Sequence, residues 1–100
     1  MLENLTAEQF QALVGTRFRV VPRRASDVEV ELYEVALHEP HDGPRVQPFS
    51  LRFRDGRGPG TPALPQQIFQ VEHSTLGTMA IFLVPIGPDA QGMCYEAVFN

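Results

Sequence analysis

A chain of 100 residues that is 43% hydrophobic and 20% charged has the size and composition of one soluble globular domain. A net charge of -4 speaks against nonspecific binding to nucleic acid or anionic membrane, and no apolar run approaches the ~18 residues of a membrane span. The single cysteine, Cys94, excludes an intrachain disulfide and a multi-cysteine zinc site, and the absence of lysine removes Schiff-base and phosphate-loop lysine chemistry.

The opening, Met1-Leu2-Glu3-Asn4-Leu5, lacks the basic and apolar regions of a signal peptide. A cytoplasmic product is expected, or one exported as part of an assembly without its own signal peptide. The first element is a short helix over 6–14. Thr6 and Gln9 form a T-x-x-Q capping box, and Leu5 and Phe10 form a hydrophobic staple. Phe10, Leu13 and Val14 make an apolar stripe, and Gly15 supplies the stop.

From residue 16 to 100 the pattern is β. Arg17–Val21 alternates, with Phe18 and Val20 on one face and arginines on the other. Val28–Leu32 alternates apolar with acidic, then Tyr33, Val35 and Leu37 carry the apolar phase onto the opposite face. Such a slip predicts a β-bulge or a strand passing between faces of a small barrel. Phe49–Arg54 is a half-buried strand, and Gln67–His73 is a weaker one. Met79–Val84 and Met93–Phe99, apolar on both faces, are expected to be central. Breaker-rich loops occupy 38–48 and 55–65, the second expected to be mobile, with tight turns near 74–77 and 88–92. The expectation is a single domain over 1–100, mainly β. About six antiparallel strands form a meander in a small barrel or sandwich, with one short N-terminal helix packed on it.

Chemistry-bearing clusters are few. His38, His41 and Asp42 offer metal donors, with His73 as a distant third histidine, but their spacing matches no ligand motif. His73 and Ser74 are adjacent and so face opposite sides of a strand, which argues against a nucleophile–base pair. Glu29 and Glu31 read as a cross-strand ion-pair ladder with Arg17 or Arg19 opposite. Cys94 reads as a small buried hydrophobe. No catalytic, cofactor-binding or metal residues are therefore expected.

All eight cationic side chains are arginines, and none follows Arg57. Arg17, Arg19, Arg52 and Arg54 lie on polar strand faces. If those strands are close, they make a basic stripe for an acidic partner, unless Glu29, Glu31 and Glu34 neutralise it. Tyr33, Val35 and Leu37 form a second candidate contact phase, and Leu64 and Ile86 are further apolar candidates in breaker-rich segments.

Leu5-Thr6-Ala7-Glu8-Gln9-Phe10, Leu13-Val14-Gly15-Thr16-Arg17-Phe18, Pro48-Phe49-Ser50-Leu51-Arg52-Phe53, Val84-Pro85-Ile86-Gly87 and Tyr95-Glu96-Ala97-Val98-Phe99-Asn100 together resemble a family of bacterial proteins of about this length, known only as a domain of unknown function. Each of these motifs is a capping, core or turn signal, so the resemblance implies no catalytic residue. It implies an association with phage-tail-collar-like proteins. The expected function is a non-enzymatic structural or protein-interaction module, an accessory or assembly subunit of a phage-tail-like or surface-fibre complex. Its partner would be another protein or a second copy, not nucleic acid or membrane. The alternative is a small-ligand-binding β-barrel with Phe53, Phe69, Phe82 and Tyr95 lining a cavity.

Overall fold

The computed structural model describes residues 5–39 and 47–99. Thr6 caps the first helix, α1 (Ala7–Gln11): its hydroxyl accepts the Gln9 N–H at 3.3 Å, and Gln9 Oε1 accepts the Thr6 N–H at 2.8 Å. The helix is shorter than the 6–14 expected. After Gln11 the hydrogen bonds tighten to three-residue spacing, Leu13 N–H to Phe10 O and Val14 N–H to Gln11 O. This tighter winding turns the next residues off the helix face. Phe10 is fully buried and Leu13 packs on the core, but Val14 is exposed. Gly15, at φ +93°, redirects the chain, and its N–H donates to Leu32 O at 2.7 Å.

Among the described residues six strands follow: β1 (Arg17–Val21), β2 (Val28–Leu37), β3 (Phe49–Asp55), β4 (Gln67–His73), β5 (Gly77–Asp89) and β6 (Gly92–Phe99). Every neighbouring pair is antiparallel, and the order β1-β2-β3-β6-β5-β4 closes through β4 onto β1. The fold is a small closed barrel with one short N-terminal helix. The expected meander is broken once: β1-β2-β3 and β4-β5-β6 are each meanders, joined by the 56–66 loop crossing one end of the barrel.

Period-two alternation sends one side of every strand inward. Phe18 and Val20, Val28, Val30 and Leu32, Phe49, Leu51 and Phe53, Phe69 and Val71, Ile81 and Leu83, and Tyr95 and Ala97 fill the interior. Phe18 meets Phe53 edge-on at 5.2 Å. The predicted slip is a bulge at Tyr33, where the β2–β3 register shifts between Leu32 and Glu34. Before the bulge Leu32 faces Phe53, and after it Val35 faces Leu51.

β5 and β6 depart from expectation. In a closed barrel every strand has two neighbours but one dry face, so the second apolar face of these strands looks outward. Phe82 and Val98 are exposed. β5 also runs through Pro85 and Pro88 to Asp89, beyond the stretch paired with β4, which ends at Leu83. Proline is tolerated there because that side of β5 needs no ladder N–H.

Both barrel ends are plugged. At one, Phe10 lies 5.9 Å from Phe49 and 5.8 Å from Phe99, and Phe49 stacks on Phe99 at 4.9 Å. At the other, the 56–66 loop is tied down, contrary to the expectation of mobility. Arg57 Nε and Nη2 donate to Asp55 Oδ2 at 3.0 and 2.7 Å, and the Arg57 N–H donates to Oδ1 at 2.8 Å. Arg57 also reaches Pro62 O, and the Leu64 N–H donates to the buried Tyr95 hydroxyl at 2.8 Å.

Candidate interaction surface

The outer wall carries a network of charges centred on β1, β2 and β3 and an apolar strip across β4, β5 and β6. The four candidate arginines project outward from β1 and β3, with β2 lying between them and carrying the acidic row. The register sets Arg17 opposite Glu31, Arg19 opposite Glu29, and Glu31 opposite Arg54. Arg17 pairs with Glu29 at 3.2 Å, and Arg19 lies 3.7 Å from Glu72 and 3.9 Å from Asp27. Arg52 bridges Glu34 at 2.8 Å and Glu96 at 3.2 Å across three strands, and these bonds hold its pKa above the ordinary value. Arg54 pairs with Asp89 at 2.7 Å, which holds the Asp89 carboxyl down at about 2. The arginines therefore form an interleaved ion-pair lattice rather than a basic stripe, and exposed pairs of this kind add little to stability because water and salt screen them.

Tyr33 lies on the outer wall with the Arg54 guanidinium 4.3 Å above its ring. Burial, and then a hydrogen bond with Cys94, push its phenol up to about 12. Cys94 is buried as expected, although beneath Tyr33 on the outside of the sheet rather than in the core. Of the Tyr33, Val35 and Leu37 phase, Val35 packs on the core and Leu37 is exposed. Leu64 is buried at the plugged end, whereas Ile86 is exposed at a register shift in β5.

Among the described residues, His38 and His73 are not brought to one centre. His38 Nε2 lies 2.6 Å from Ser50 Oγ on the outer wall, and His73 Nε2 lies 3.0 Å from Thr16 Oγ1 at the α1 end. His41 and Asp42 lie outside the described residues. Among the described residues no group of three or more His, Cys, Asp or Glu side chains converges as a metal site, and no helix is long and apolar enough to cross a membrane. The His38–Ser50 contact was not anticipated from sequence. Ser50 is 1% exposed, so the contact satisfies a hydroxyl buried in the wall.

The expected cavity lining is split. Phe53, Phe69 and Tyr95 pack inside, while Phe82 points away on the outer wall. There Phe82 joins residues that sequence reasoning did not assemble. Ile68, Phe82 and Val98 are 66%, 47% and 54% exposed on the adjacent strands β4, β5 and β6. Ile68 is directly opposite Phe82. The β5–β6 register, Val84 opposite Glu96, sets Phe82 beside Val98 when carried two residues on. The signal in the sequence was the apolar second face of β5 and β6, together with Ile68 out of phase with Phe69 and Val71.

No curated protein and no solved structure matches the chain. A family model described as a domain of unknown function (DUF6916) matches residues 5–99, and the chain belongs to that family.

Proposed function

We propose that this chain is a non-enzymatic structural or protein-interaction module that docks through the outer wall formed by β4, β5 and β6. The observation that carries the reading is the contiguous Ile68–Phe82–Val98 strip. Single exposed hydrophobics are ordinary, but neighbouring large ones on three adjacent strands mark a contact surface. Covering the part of each side chain still open to water contributes about 1–2 kcal/mol, enough together to anchor a weak interface.

Barrel closure favours face packing over strand addition. A closed sheet has few free edges, and the stretch of β5 left unpaired by β4 carries Pro85 and Pro88, which lack the N–H an added strand would use. The sequence resemblance supplies the setting: an accessory or assembly subunit of a bacterial phage-tail-like or surface-fibre complex.

Light scattering of the purified protein, alone and co-expressed with the products of neighbouring genes, tests this. Association is expected in the wild type and lost in Phe82→Glu, with the melting temperature kept. A wild type that stays monomeric and captures none of these products overturns the reading.

A further inference from the structure

His73 ends β4 with its ring set in the barrel wall beside the segment that links α1 to β1. Nδ1 faces two donors, the N–H groups of Thr75 at 3.0 Å and Leu76 at 3.4 Å. Two donors at one ring nitrogen make it the unprotonated acceptor, so Nε2 carries the hydrogen. Nε2–H donates to Thr16 Oγ1 at 3.0 Å, and the Thr16 hydroxyl donates to Leu13 O at 2.7 Å. The imidazole lies 4.3 Å from the Phe18 ring and is 7% exposed. One neutral side chain thus ties the β4–β5 turn to the α1–β1 segment.

A second proton has no acceptor in this slot, because Nδ1–H would point at two N–H groups. On the outer face of the same strands lies a groove of about 300 Å³ lined by Arg17 and Arg19 from β1, Glu29 from β2, Glu72 from β4, and Ser74; no charged side chain of α1 or β5 lines it among the described residues. Arg17 pairs with Glu29 and Arg19 with Glu72, so the local charges offset one another. Burial therefore holds the imidazole below its ordinary value of 6.5.

We propose that His73 is an acid-released plug. When it takes a second proton the imidazolium leaves its slot for solvent at the α1 end of the barrel, where β4 ends. The 74–76 turn then parts from the 13–16 segment, and the α1 end of the barrel opens while the rest stays closed.

Hydrogen exchange followed by mass spectrometry from neutral to mildly acidic pH, corrected for intrinsic rates, tests this. Peptides spanning 10–18 and 73–78 are expected to exchange faster as pH falls below 6.5. The rise is up to about tenfold per pH unit, the slope of one proton, with β3 and β6 unchanged. His73→Gln, which keeps a donor and an acceptor without titrating, is expected to be flat. Thr16→Val retains the histidine and is expected to open more at every pH. Loss of protection in all strands together, a flat wild type, the wild-type slope in His73→Gln, or a wild-type profile in Thr16→Val overturns the proposal.

Discussion

The Tyr95 hydroxyl accepts the N–H of Leu64 at 2.8 Å, joining an inward-facing side chain of β6 to the loop that crosses the end of the barrel. Leu64 and Tyr95 are both buried, so water does not replace this bond. Tyr95→Phe leaves a buried N–H unpaired and is expected to cost about 1–3 kcal/mol in urea unfolding. Tryptic cleavage after Arg57 should accelerate in the same variant.

Asp55 and Arg57 are expected to respond unequally to truncation. The Asp55 side chain is fully buried, while that of Arg57 is 39% exposed. Arg57→Ala strands a buried carboxylate and is expected to cost about 3–5 kcal/mol. Asp55→Asn frees an arginine that reaches water and should cost less. Combining Asp55→Asn with Arg57→Ala should recover part of the loss, which a double-mutant cycle in urea measures.

Gly92 sits where β6 presses against the end of β3. Its φ is +154°, and an added Cβ would lie 2.9 Å from Asp55 O, a backbone atom with no room to retreat. Gly92→Ala is expected to cost about 1–3 kcal/mol by thermal denaturation. Gly58, also at positive φ but facing open space, should tolerate alanine better.

Alkaline titration should lag behind that of free tyrosine. The chain has two tyrosines, and burial raises both, Tyr33 to about 12. A raised phenol means the folded state holds its protons longer than the unfolded state. The stability this lends is full below pH 10 and is lost as pH rises toward 12. Near-ultraviolet difference absorbance should therefore detect little tyrosinate at pH 10 in the folded protein, and urea at that pH should release it.

The elements set by local chemistry were legible in the sequence. The Thr6–Gln9 capping box depends on residues three apart, and the bulge at Tyr33 was written as a phase slip in β2. What escaped depends on contacts distant in sequence or on closure itself. Val14 left the helix face because Gly15 and Leu32 pull the chain into a tighter turn. The 55–65 segment carries the composition of a loose loop, yet Arg57 turns back on Asp55 and Leu64 finds Tyr95. The arginine stripe depended on strand order, since β2 inserts its glutamates between β1 and β3. Two apolar faces on β5 and β6 read as a doubly buried sheet, because period alone does not distinguish a covered face from one open to solvent.

Phe10 and Phe99 come together at one pole, so the first helix and the last strand meet at the same end of the barrel. A bulky group attached beyond Phe99 would follow Val98 closely and crowd the outer face that Val98 shares with Phe82.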